Sequence, residues 1–250
     1  MNKVCNVYEL PGVQRVTGNT IRPGGLALTQ RALALAKLPA GAQVLDVGCG
    51  AGATLDFLAE LGLQILGMDP SRKLLLQGNG RSPHLPLTQG RGETLPFAAH
   101  TFDALLAECC LSLMDDAATA LAEFARVLRP GGTLILSDML AGNPAGIAAA
   151  RQLPLSCCVS GAFSQAQIEA LLAEAGFAIS YWEDNKEALK QLTVQIIWEY
   201  GSLANFWGCA GEDGMGVETA VSTLKPGYFL LLAKKNGHRG HREHGEKEKL

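Results

Sequence analysis

Val44-Leu45-Asp46-Val47-Gly48-Cys49-Gly50-Ala51-Gly52 is the stretch that decides the fold. An apolar strand delivers a carboxylate, and glycines then alternate through a turn into the helix-forming run from Ala53 to Leu61. Gly48 and Gly50 permit a tight turn and a close approach of backbone to a ligand, because no Cβ intervenes. The turn alone does not choose that ligand. Gly48, Gly50 and Ala53 also satisfy the looser dinucleotide pattern G-x-G-x-x-G/A, and a plain strand-to-helix turn can look the same. Asp46 bears on the choice. Two residues before the first glycine, a carboxylate would face a pyrophosphate unfavourably. Opposite charges a few ångströms apart instead attract by on the order of a few kcal/mol near a protein surface. A nucleoside that carries an ammonium and a sulfonium, and no phosphate, suits that charge.

Working outward, strand and helix signals alternate. Leu63 to Met68 reads as a second strand ending at Asp69, with a short helix after Ser71. About twenty residues beyond the glycines, Asp69 can accept hydrogen bonds from both hydroxyls of a ribose, a device that serves NAD equally. Gln77 to Thr94, rich in Gly, Pro, Ser and Arg, reads as loop with one short strand. Phe102 to Ala107 is a strand, and Asp115 or Asp116 caps a helix bearing Ala120, Leu121, Phe124, Val127 and Leu128 on one face. Pro130-Gly131-Gly132 stops that helix, and Thr133 to Leu136 is the next strand. Such alternation with short links predicts right-handed crossovers and a parallel sheet. Further on, Ser164 caps a helix, Phe177 to Trp182 and Tyr228 to Lys234 read as strands, and about 185–225 reads as a helical insertion.

The motifs occur in an order that resembles the class I S-adenosylmethionine-dependent methyltransferase superfamily, in its small-molecule, UbiE-like branch. Asp46 to Gly52 looks like that family's cofactor loop, and Gly67-Met68-Asp69-Pro70-Ser71 like its ribose-binding turn. Glu93-Thr94-Leu95-Pro96-Phe97 with Thr101-Phe102-Asp103, and Arg126-Val127-Leu128-Arg129-Pro130-Gly131-Gly132, look like its later landmarks. The resemblance spans about 40–140. It implies an α/β, Rossmann-like doubly wound sheet, mostly parallel with an antiparallel last strand and helices on both faces. The expected organisation is one domain over 1–235, with a lid at 1–38, the insertion, and a charged tail from 236. S-adenosylmethionine is the implied cofactor, yielding S-adenosylhomocysteine. Asp46, Gly48, Cys49, Gly50, Gly52, Asp69, Pro70, Gly92, Glu93 and Glu108 are its implied contacts. In many relatives an Asp two positions before that Glu holds the adenine amino group. Here the place is taken by Arg91, which cannot accept a hydrogen bond.

Methyl transfer from a sulfonium needs alignment and exclusion of water more than covalent catalysis. Glu108 and Asp138, expected beyond two strand ends, are the candidate catalytic carboxylates, each with a plain hydrogen-bonding role as the alternative. Cys157-Cys158-Val159-Ser160-Gly161-Ala162 resembles a segment of arsenite methyltransferases, where a cysteine helps bind trivalent arsenic. Cys109, Cys158, Cys209 and Trp207 are therefore the candidate acceptor contacts, with a thiophilic acceptor held by Cys158 and Cys209 as one alternative. Cysteine is as often a small buried hydrophobe. A non-catalytic cofactor-binding protein and a nicotinamide or flavin oxidoreductase are the other readings.

Bulk properties narrow the partners. Of 250 residues, 48% are hydrophobic and 18% charged, so a packed core is expected. A net charge of -3 gives no electrostatic reason to expect nucleic acid. No apolar run approaches the roughly 20 residues that cross a bilayer, and Glu9 interrupts any signal-like start. Seven cysteines in a large apolar domain read as reduced thiols, which points to the cytoplasm. A small-molecule acceptor, no metal, and a monomer or homodimer complete the expectation.

Overall fold

Residues on the predicted strands face two apolar layers in strict alternation. Val44, Ala104, Leu106, Ile135 and Leu230 belong to one buried cluster. Their neighbours Leu45, Leu105, Ala107, Leu134 and Leu231 belong to the other. A sheet apolar on both faces has to be covered on both, which is the doubly wound arrangement. The computed structural model describes residues 5–9, 20, 22–153, 155–208 and 214–237.

In chain order the elements are β1 (Cys5–Asn6), α1 (Gly25–Ala36), β2 (Gln43–Val47), α2 (Ala53–Glu60), β3 (Gln64–Asp69), α3 (Arg72–Arg81), β4 (Leu87–Gln89) and β5 (Phe102–Glu108). Then come α4 (Ala117–Val127), β6 (Leu128–Ala141), α5 (Ile147–Ala150), β7 (Leu155–Ser156), α6 (Gln165–Glu174), β8 (Phe177–Asp184), α7 (Lys186–Tyr200), α8 (Leu203–Gly208), α9 (Gly214–Leu224) and β9 (Pro226–Lys235). Seven strands form one sheet in the order β4-β3-β2-β5-β6-β9-β8. Only β9 runs against its neighbours β6 and β8. The short β1 pairs in parallel with β7 beside the carboxyl ends of the sheet, a contact the sequence did not suggest.

Helix starts follow the capping residues. Ser71 accepts from Leu74 N, Asp116 from Ala118 N and Thr119 N, and Ser164 forms a capping box with Gln167. Two expectations change. The stretch after Gln77 is not loop throughout, since α3 continues to Arg81 with Gly78 packed under Ala51 O. The strand expected over Thr133 to Leu136 extends to Ala141, because β9 pairs with it as far as Pro226.

That extension moves Asp138 from beyond a strand end to a buried position inside β6. Its carboxylate accepts from Ser112 N at 2.9 Å, Ser112 Oγ at 2.6 Å and Met139 N at 2.7 Å. Its visible work is to anchor the 3-10 turn Leu111–Leu113 that follows β5. Ser112 in turn abuts Gly161, where an added Cβ would lie 1.8 Å from Ser112 O. Among the described residues no helix is long and apolar enough to cross a membrane.

Gly161→Ala has to displace backbone, so we expect a loss of about 1–3 kcal/mol, seen as a fall of several degrees in thermal unfolding. An unchanged melting temperature would remove Gly161 from the packing argument. Burial holds the Asp138 carboxyl at about pKa 6 against an ordinary 3.8, although the hydrogen bonds it accepts offset part of the effect. The folded chain therefore keeps this proton in a range where the unfolded chain has released it. The associated stability is full below pH 3.8 and is lost as pH rises to about 6. Relative to Asp138→Asn, the wild type should lose on the order of 3 kcal/mol across that window in urea unfolding. Parallel pH profiles for the two proteins would contradict it.

Candidate active site

At β2 and β5 the strand order reverses, with β3 and β4 lying to one side and β6 to the other. Ligand crevices open at such a point, beyond the carboxyl ends of the strands. A cavity of about 320 Å³ lies there. The glycine turn forms its floor. Gly48 has φ 76°, and a Cβ on it would lie 2.6 Å from Cys110 Cβ, so no other residue fits. Gly48 N and Cys49 N both donate to Met68 O, at 2.8 and 3.1 Å, which ties the turn to the end of β3.

Asp69 stands on that end. Its Oδ2 accepts from Gly50 N at 2.9 Å and its Oδ1 from Ser71 N at 2.8 Å. Burial raises its pKa, and these two backbone donors pull it back. Each carboxylate oxygen has a further lone pair, so a fixed acceptor pair is available to vicinal hydroxyls in the cavity. Pro70 and Cys49 line the same wall.

One end of the cavity is formed by Arg91, Gly92, Glu93 and Asp115. Glu93 Oε1 accepts from Asp115 N at 2.8 Å and from Arg91 at 3.4 Å. Glu93 Oε2 is buried without a hydrogen-bond partner. Arg91 also bonds Asp115, so its guanidinium is turned toward two acids.

The opposite end is closed by Glu108, at the tip of β5. Glu108 Oε1 accepts from Thr29 at 2.7 Å, and Oε2 accepts from Thr54 at 3.1 Å and pairs with Arg22 at 2.9 Å. Arg22 was not singled out from the sequence. It lies in a stretch with no period, and its partners are 7, 32 and 86 residues away. Asp46 and Gly52, expected as direct contacts, do not line the cavity. Asp46 is buried beneath it, its carboxyl pushed well up by burial, then by Glu108, with Arg22 opposing. Gly52, at φ 77°, is the N-cap of α2. Asp138, held inside β6, lines neither this cavity nor its neighbour.

That neighbour is a second, smaller cavity of about 120 Å³, with walls from α7, α8 and the Cys157–Val159 segment. It shares Tyr8 and Cys109 with the first. Phe206 and Trp207 pack edge to face at 4.9 Å on its rim, and Trp207 Nε1 is buried without a partner. Trp198 takes no part, being 90% exposed. Cys109 and Cys158 meet there. The neighbouring Cys158 thiol, followed by burial, raises the Cys109 pKa, and burial pushes Cys157 up to about 11. Tyr8 is raised by burial and accepts from Cys158 N at 3.0 Å. Cys209 lies outside the described residues.

The family described as "Methyltransferase domain" matches residues 45–136. An O-methyltransferase, resE, of Aspergillus sclerotiorum is 31% identical over 212 residues, covering 78% of this chain and 76% of its own. A demethylmenaquinone methyltransferase of Corynebacterium urealyticum is 31% identical over 206 residues, covering 79% and 81%. Other demethylmenaquinone methyltransferases align over as little as 41% of their own length. Among solved structures, phosphoethanolamine N-methyltransferase 2 of Haemonchus contortus, in complex with S-adenosyl-L-methionine, superposes with a TM-score of 0.70 at 20% identity. The match covers 90% of this chain and 56% of that one, and it speaks to fold alone.

Proposed function

Because the chain belongs to the class I S-adenosylmethionine-dependent methyltransferases, in their UbiE-like branch, we propose that its larger cavity holds the cofactor and its smaller one a small-molecule acceptor. The observation that carries this reading is that the two cavities share a wall, Tyr8 and Cys109, at the end of β5. The residues suit the cofactor. The Gly48 cradle admits close approach, Asp69 offers a fixed pair of acceptors to the ribose, and the acids Asp46 and Glu108 favour the ammonium and sulfonium. At the far end the partnerless Glu93 Oε2 supplies an acceptor for the adenine amino group. That answers the change at Arg91, whose own charge is taken up by Glu93 and Asp115.

When bound, S-adenosylmethionine supplies an electrophilic methyl group on sulfur. The chain's part is placement. Cys109 sits between the two cavities in a left-handed conformation, φ 57°, which turns the chain from β5 toward Cys110 and the Leu111–Leu113 turn. The acceptor is walled by Met139, Leu189, Phe206 and Trp207, an apolar enclosure that excludes water from the nucleophile. Trp207 Nε1, a buried donor without a partner, orients an acceptor oxygen. None of the described side chains lining that cavity is an acid or a histidine. Glu108, at the tip of β5 next to Cys109, already accepts from Thr29, Thr54 and Arg22. Its role in this reading is electrostatic positioning, and the acceptor arrives as a ready nucleophile. Tyr8 and Pro23, with the described residues of α7 and α8, serve as the cover. A thiophilic acceptor is the second reading, favoured by the contact between Cys109 and Cys158, and trivalent arsenic bound there would protect Cys158 from alkylation.

Calorimetric titration tests the first reading. S-adenosylhomocysteine should bind with micromolar affinity and NAD should give no heat. Asp69→Asn should weaken the former by about tenfold or more, since it replaces a charged acceptor of two hydroxyls. Heat with NAD alone, or an Asp69 variant that binds as the wild type does, would overturn this assignment of the cavity.

A further inference from the structure

Around Glu108 the larger cavity is walled by like charge, with Asp69 on its side and Asp46 buried beneath. The cofactor's amino-acid end carries a carboxylate as well as an ammonium, and these acids serve only the ammonium. Among the described residues two cations line the cavity. Arg91 is half exposed and sits at the opposite end, engaged by Glu93 and Asp115. Arg22 stands beside Glu108 with its side chain 8% exposed.

The bonds of Arg22 are unevenly distributed over its guanidinium. Nη2 alone makes the contacts to Thr29 at 2.6 Å, Thr54 at 3.0 Å and Glu108 at 2.9 Å. Nε is buried and has no partner. A guanidinium presents five donors in a planar fork, matched to carboxylates, and leaving buried donors unpaired is unfavourable. Glu108 and the two threonines all hold Nη2, and among the described residues neither Nε nor Nη1 of this cavity-lining residue has a partner.

We propose that Arg22 binds the carboxylate of the cofactor's amino-acid moiety, held in place for it by Glu108, Thr29 and Thr54. This rests on the reading of the larger cavity given above. The ammonium and carboxylate then meet opposite members of one fixed ion pair, Glu108 and Arg22. Arg22 is bonded to Thr29 on α1, so the same contact couples cofactor binding to that helix.

The test compares S-adenosylhomocysteine with its decarboxylated analogue, which keeps the adenosine, the sulfur and the ammonium. Wild type should bind the intact ligand about ten- to a hundredfold more tightly than the analogue. Arg22→Met should bind the two alike, near the wild-type affinity for the analogue. General damage to the fold weakens both ligands together and leaves their ratio unchanged. If Arg22→Met does not fold, Arg22→Met with Glu108→Gln removes both charges of the buried pair and takes its place. Equal binding of both ligands by wild type overturns the proposal, as does an unchanged ratio in the variant. Failure of wild type to bind either ligand overturns the cavity reading itself, and this proposal with it.

Discussion

The carboxyl ends of β2 and β5 approach so closely that Cys110 occupies the volume a side chain at position 48 would need. Cys110 Sγ also contacts Val47 O at 3.1 Å, so the two strand ends are joined by that same side chain. The consequences spread from there. With no Cβ at Gly48 the chain turns sharply enough for Gly48 N and Cys49 N to reach Met68 O, and Gly50 N to reach Asp69. Three strand ends are thereby locked together. The floor and one wall of the larger cavity are set by backbone before any surface side chain contributes. Pre-organisation of this kind is what a transfer reaction asks of its enzyme, since alignment supplies most of the rate.

The charges form a second layer on that frame. Asp46, Asp69 and Glu108 gather at one place, an arrangement that repels itself unless cations enter. Arg22 offsets part of it, and burial pushes the pKa of Asp46 and Asp69 upward. A cationic ligand completes the balance. The smaller cavity differs in kind, being apolar, and burial and neighbouring groups raise the pKa values of Cys109, Cys157 and Tyr8. Two compartments of opposite polarity thus meet at Cys109.

How much of this was legible in the sequence depended on how local its cause was. The glycine turn, Asp69 and the caps at Ser71, Asp116 and Ser164 act within a few residues of themselves, and the strands around them follow from apolar runs. Asp138 was misplaced because the length of β6 is set by β9, about ninety residues later. Arg22 was invisible for a similar reason, since its meaning lies in Thr54 and Glu108. The insertion was recognisable as helical, yet its inner face was not. No residue of α7 is fully buried, so its sequence carries little amphipathic pattern to show which side chains reach the cavity.

The pairing of β1 with β7, and of Tyr8 with Cys158, joins parts of the chain about 150 residues apart. During synthesis the N-terminal wall of the site is made first, and Glu9 can reach Ser71 and Lys73 early, but β1 and Tyr8 meet their partners only once residues 155–158 have left the ribosome. Closing so long a loop is entropically costly, and the contact it secures is two residues of strand and one hydroxyl. The strands β2 to β6 can therefore assemble around the glycine turn well before the shared wall of the two cavities exists. Competence would be the last property the chain acquires, and the first it would give up on partial unfolding.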